Sequence, residues 1–160
     1  MKHFQKIMQN YAHFRGLFII FFLILMSLQI CIMTPERLFW NGESDEIILP
    51  TNTGEMGVLK NHAPIITGLD VGAMLIRTAQ GWNSFAIMGG FGIIGQNRVI
   101  LLVNEAEFPE TIDPQEAENV LLTAKTNLEQ AQGTKQRVEA NFAFKRAKAR
   151  YQVVKNLTKS

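Results

Sequence analysis

The hydrophobic pattern changes period at Asp113, and that change constrains the fold more than any other feature of the chain. Before it, apolar residues alternate or run in short bursts between turn formers. After it, they recur every three or four residues. Asp113-Pro114-Gln115-Glu116 marks the switch, with a capping aspartate, proline at the first helical position and glutamate at the third forming a capping box. Ala117, Val120, Leu121, Ala124, Leu128 and Ala131 then make one apolar stripe at helical spacing. Gly133 breaks it. Thr134 can cap a second helix reaching about Leu157, whose stripe is Ala140, Ala143, Phe144, Ala147, Tyr151 and Val154. Strands followed by a helix pair predict an α+β chain, with an N-terminal antiparallel β-sandwich over residues 26–110 and a C-terminal two-helix antiparallel hairpin over residues 111–160.

Within the first part, Leu28, Ile30 and Ile32 take one face of a strand and Gln29 and Cys31 the other. Asn41-Gly42 reads as a turn, and Ile47-Ile48-Leu49 as an apolar run ended by Pro50. Ala73 to Thr78 and Asn83 to Met88 flank Ala79-Gln80-Gly81-Trp82, which predicts a hairpin. Phe91 to Ile94 and Val99 to Val103 flank Gly95-Gln96-Asn97-Arg98, a second one. Between Thr53 and Thr67, Gly54, Gly57, Asn61 and Pro64 leave Met56, Val58 and Leu59 at most a very short strand. That suits a sandwich rim, where loops meet partners.

Residues 1–25 are basic at first (Lys2, Lys6, Arg15) and lead into the run Leu17 to Met26. The pattern resembles the start of a signal peptide, yet no small-x-small cleavage site follows. As a helix, the run covers about 15 Å of a roughly 30 Å hydrocarbon layer. Extending it to Met33 would consume a strand of the sandwich. These residues are read as an upstream extension, with an anchor or targeting segment as the alternative.

Chemistry is sparse. The 47% hydrophobic content supplies a core, and the single cysteine excludes an internal disulfide and a cysteine-rich metal site. His62 and Cys31 are the only nucleophile–base candidates outside the extension, and Cys31 sits in a strand pattern where cysteine is usually a small hydrophobe. No paired metal-ligand spacing occurs. Gly89-Gly90-Phe91-Gly92 lacks the Gly-Lys-Ser/Thr end of a phosphate loop and reads as a strand bend. No catalytic residue, metal, cofactor or small-molecule substrate is expected.

Charge is distributed unevenly. Glu43 to Glu129 holds twelve acidic and four basic residues, whereas Gln130 to Ser160 holds eight basic residues and one acid, Glu139. The basic tail points to an acidic partner. Lys145, Arg146, Lys148 and Arg150, with Lys135, Arg137, Lys155 and Lys159, surround the second helix. A solvated face, phosphate binding and docking on an acidic protein are all compatible with such a run. No base-reading motif accompanies it. Alanine-rich stripes give the hairpin a thin seam, since alanine buries far less apolar area than leucine at roughly 25 cal/mol per Å², so a mobile hairpin is expected.

Thr53-Gly54-Glu55-Met56-Gly57-Val58-Leu59-Lys60-Asn61-His62-Ala63-Pro64 resembles the GELGVLPGHAP-type loop of the epsilon subunit of F-type ATP synthases. The chloroplast type is nearest, because Glu46 to Thr53 and Met88-Gly89-Gly90-Phe91 match it too, and the similarity runs from about Met26 to the C-terminus. Lys60 stands where the family usually has proline. The resemblance implies a non-catalytic rotor subunit of the central stalk, peripheral on the stromal side of the chloroplast thylakoid membrane, with a cyanobacterial thylakoid as the alternative. It implies the gamma subunit, the c-ring and the beta subunit as partners, with no nucleic acid. Such a subunit couples proton-driven rotation to ATP synthesis and inhibits hydrolysis through its C-terminal helices. Rotor contacts are then expected at Glu55, Met56, Gly57, Val58 and His62, and an inhibitory basic helix at Lys145, Arg146, Lys148 and Arg150, facing an acidic segment of beta. Some bacterial members bind ATP through an Ile/Leu-Asp-x-x-Arg-Ala motif. Here Ile112-Asp113-Pro114-Gln115-Glu116-Ala117 puts Glu116 in place of the arginine, so no nucleotide site is expected. The contrasting reading is a membrane-anchored adaptor whose basic helix binds anionic lipid or nucleic acid.

Overall fold

A computed structural model describes residues 27–157, so the expectations for residues 1–25 lie outside the described residues. Strict alternation makes β1 (Leu28–Met33), which buries Leu28, Ile30 and Ile32 as its pattern predicts. It pairs with β2 (Leu38–Ser44) through a turn in which the Thr34 N–H donates to the Arg37 carbonyl at 3.0 Å. Asn41-Gly42 is therefore not a turn; it lies inside β2, opposite Cys31 and Ile30. The glycine serves packing, because a Cβ at position 42 would sit 2.8 Å from the Trp40 ring laid across it.

β3 (Glu46–Thr51) and β4 (Gly54–Leu59) form a hairpin paired from Glu46↔Leu59 to Thr51↔Gly54, so β4 is a full strand and longer than expected. β3 also runs through Pro50, where its pairing with β5 is already irregular and a missing N–H costs least. β5 (Ile65–Thr78) and β6 (Gly81–Gly95) are long, and β7 (Arg98–Val103) and β8 (Ala106–Glu107) follow. The segments expected as two strands, Asn83 to Met88 and Phe91 to Ile94, are one strand bent at Gly89 (φ 76°) and Gly90 (φ 146°). A Cβ at Gly90 would lie 2.1 Å from the Leu102 carbonyl oxygen, so no other residue fits that bend.

The strand order is β2-β1-β7-β6-β5-β3-β4, with β8 also on β6, and β1/β7 is the parallel pair in an otherwise antiparallel set. Ile30, Ile47, Val58, Ile87 and Leu101 come from strands spread across that order yet share one core, so the sheet closes face to face as a β-sandwich. A second, smaller cluster joins Ala86 and Met88 of β6 to Ile112, Ala117, Ala149, Val153 and Val154. Ser84 to Met88 is consequently buried on both faces: Phe85 and Ile87 point into the sandwich, Ala86 and Met88 towards the helices.

The helices begin after a 3₁₀ turn (Pro109–Thr111). Asp113 caps α1 (Pro114–Gln130), its carboxylate accepting the Glu116 N–H at 2.7 Å. α2 (Gly133–Leu157) returns antiparallel to α1 and is the inner helix, lying on β5 and β6 while α1 rests mainly on α2. Only Ala117 and Ala124 of α1 are buried, so Val120 and Leu122 are left exposed. No helix among the described residues is long and apolar enough to cross a membrane.

Candidate functional site

The β4 strand and the turn after it position the five expected rotor-contact residues at the open end of the strand order. Glu55 and Gly57 are exposed, and Met56 is half-buried against the core. Val58 is fully buried, so its side chain anchors the strand and leaves its neighbours to face outward. Asn61, at φ 61°, turns the chain, and its N–H donates to the Asn97 side-chain oxygen at 2.6 Å, tying this turn to the β6–β7 turn. His62 is half-buried, with Nδ1 2.8 Å from the Ala63 carbonyl. The ring therefore orders its own loop, and no hydrogen bond joins it to Cys31 in β1 among the described residues.

Beside this rim lies an apolar surface that sequence reasoning did not single out. Ile66 is 73% exposed, Phe91 62%, Leu102 46% and Ile93 41%. The register makes them one patch: Ile66 pairs with Ile93 and Ile93 with Ile100, while Phe91 pairs with Leu102 and Leu102 with Met33. Such a contiguous apolar face marks an interaction surface. Alternation showed that these strands have two faces; which one stays uncovered is settled only by closure of the sheet.

The basic helix meets acids of its own chain. Lys145 donates to Asp70 of β5 at 2.5 Å, Arg146 to Glu105 at 2.6 Å and Arg150 to Glu107 of β8 at 3.0 Å. Arg150 also lies 4.0 Å from Glu116 of α1. Of the four residues expected to face an external acidic segment, three are engaged by acids of their own chain. Of the four, Lys148 alone is exposed and makes no ion pair with the described residues. Burial pushes the Asp70 carboxyl up, but the Lys145 ammonium and the Val71 N–H outweigh it and hold the pKa below the ordinary 3.8. One Glu107 oxygen is buried with no hydrogen-bond partner among the described residues. Apolar contacts between these bridges are small: Ala147, Ala149, Val153 and Val154 are buried, and the Ser84 hydroxyl donates to the Val153 carbonyl at 3.2 Å. The expected stripe included Ala147 and Val154 but missed Ala149 and Val153, because α2 is covered on two sides, by α1 and by the sandwich.

Glu116 closes only half of the capping box. Its N–H meets Asp113 while its carboxylate leans towards Arg150. Gly89-Gly90 lies within a paired strand, as a bend should.

A sandwich that carries a two-helix hairpin across one face, with a turn-rich rim and an uncovered apolar sheet, defines a class of chain, and comparison identifies it. The family model for the ATP synthase delta/epsilon chain beta-sandwich domain matches residues 27–109, and that for its long alpha-helix domain matches residues 110–155; the chain belongs to this family. It is 78% identical over 135 residues to the chloroplastic ATP synthase epsilon chain of Stigeoclonium helveticum, covering 84% of this chain and 100% of that one. It is also 68% identical over 140 residues to that of Chlamydomonas reinhardtii, covering 84% and 99%. Among solved structures, a chain of the Euglena gracilis mitochondrial ATP synthase (OSCP/F1/c-ring) shares the fold at a TM-score of 0.68 and 20% identity, over 83% of this chain and 82% of that one. Within its family, then, the chain stands with the epsilon subunits of F-type ATP synthase of the chloroplast kind, central-stalk subunits without a catalytic site of their own.

Proposed function

We propose that this chain is a rotor subunit that joins the gamma shaft to the c-ring at the thylakoid membrane, on its stromal side, and that its hairpin restrains ATP hydrolysis. The apolar face of Ile66, Phe91, Ile93 and Leu102 supports gamma binding, since a stalk partner would cover it. The exposed rim at Glu55 and Gly57, with Met56 and His62 behind it, is the reading for the c-ring contact. Through these two surfaces, ring rotation is transmitted to the catalytic head.

The observation that carries the inhibitory reading is the hairpin's thin attachment. Alanine-sized contacts and half-exposed ion pairs hold it to the sandwich, where a continuous core of large side chains would lock it. A hairpin so held detaches, extends along gamma and presents Lys145, Arg146, Lys148 and Arg150 to an acidic segment of beta. Only a partner with different affinity for the two states shifts that balance, and gamma and beta contacts provide it. Glu116 in place of a motif arginine puts an anion where phosphate would bind, so nucleotide is not the controlling ligand. Deleting residues 134–160 should raise ATPase activity of the reconstituted catalytic head several-fold and leave sandwich binding to gamma intact; unchanged activity would refute the inhibitory hairpin.

A further inference from the structure

Three of the four cations that the inhibitory reading assigns to an external acidic segment already have carboxylate partners. Lys145 meets Asp70, Arg146 meets Glu105 and Arg150 meets Glu107, across sequence separations of 75, 41 and 43 residues. The three acids sit on β5, the β7–β8 connection and β8, close to the chain that leads into the hairpin. We infer that Asp70, Glu105 and Glu107 form an internal acidic decoy, which competes with the partner's acidic segment for the same three cations.

The physical basis is exclusivity. A guanidinium already aligned on one carboxylate, or an ammonium hydrogen-bonded to one, has few donors left for another in the same direction. Each pair is partly solvated, with side-chain exposures between 18% and 45%, so each is individually modest and exchangeable. Exchange of one carboxylate for another conserves the number of ion pairs, so opening the hairpin on an acidic partner loses little electrostatic energy. Opening it into plain solvent loses all three. Lys148 is the foothold: exposed and without an ion pair among the described residues, it is the one cation of the four that meets the incoming segment before any bridge breaks. The decoy thus makes opening dependent on the partner. This inference rests on the reading that the hairpin docks on an acidic segment, but its test does not require the catalytic head.

The test uses the full chain with fluorophores at cysteines introduced for Asn41 and Asn127, both exposed, and Cys31→Ser to remove the native thiol. A synthetic glutamate-rich peptide stands in for the partner. The triple variant D70N/E105Q/E107Q should shift the closed-to-open ratio roughly tenfold towards open at low salt. It should also bind the peptide roughly tenfold more tightly, while wild type needs the peptide, or about 0.5 M salt, to open. Removing the foothold with Lys148→Ala should slow peptide-induced opening of wild type and leave the resting distance unchanged. A triple variant as closed as wild type, or equal peptide affinity in both, would overturn the decoy. Should the triple variant misfold, Asp70→Lys alone must open the hairpin and D70K/K145D must reclose it; identical distances in the two would overturn it as well. A decoy that behaves as described beside a deletion that leaves hydrolysis unchanged would refute the inhibitory reading and leave the competition standing.

Discussion

Strand β6 separates two interiors of opposite character. On one side Phe85 and Ile87 join Ile30, Ile47, Leu49, Met74, Ile76 and Leu101 in a core of large side chains drawn from seven strands. On the other, Ala86 and Met88 meet Ala117, Ala149, Val153 and Val154 in a small patch, flanked by three ion pairs. Fully burying a leucine or isoleucine contributes about 1.5–3 kcal/mol, and an alanine methyl much less. The first interior therefore cannot be opened without unfolding the sandwich. The second is held by contacts weak enough to exchange. A single strand can serve both because its two faces are chemically independent.

The sharpest way to break this comparison is at the bend that β6 needs in order to serve both sides. Gly90→Val places a branched side chain at φ 146° and against the Leu102 carbonyl. It should cost about 4 kcal/mol or more and abolish cooperative unfolding of the sandwich; a urea midpoint within error of wild type would refute the assignment. Next in size is the contrast itself. Leu101→Ala in the large core should cost about 2–5 kcal/mol and lower the sandwich midpoint. Val153→Ala, also fully buried, should cost about 1–2 kcal/mol and act chiefly on amide protection in α2. Equal effects of both on the sandwich midpoint would mean that the two interiors are one cooperative unit.

The smallest effect expected is titration of the clasp. The Asp70 pKa is depressed while the hairpin is closed, so its contribution is fully present above the ordinary value of 3.8 and is lost as pH falls through the lower closed-state value. Below about pH 4, the hairpin should loosen while the sandwich keeps its near-ultraviolet signal. Asp70→Asn should remove most of that dependence. A pH response identical in wild type and variant would place the titrating group elsewhere.

Much of this was legible from particular residues. Asp113 with Pro114 located the first helix to the residue, because a capping carboxylate and a fixed φ act locally. Ala79 to Trp82 and Gly95 to Arg98 located two β-turns for the same reason. Asn41-Gly42 misled, since a turn signal and a glycine cleared for an aromatic ring look alike in sequence. The loop between Thr53 and Thr67 was visible as turn chemistry. Which of its side chains face outward was not: Val58 turned in and Ile66 turned out.

By itself, then, the sequence determined the change from strand to helix, the reversals at Ala79 to Trp82 and Gly95 to Arg98, and a basic helix in need of acidic company. Those are local or compositional properties, written in spacings of two to four residues. Only the tertiary structure decided that the company is Asp70, Glu105 and Glu107, that Ser84 to Met88 is covered on both faces, and that Ile66, Phe91 and Leu102 are left bare. An alternating strand offers two equivalent faces and an ionised side chain accepts any opposite charge within reach. Closure of the sheet and the landing of α2 remove that degeneracy.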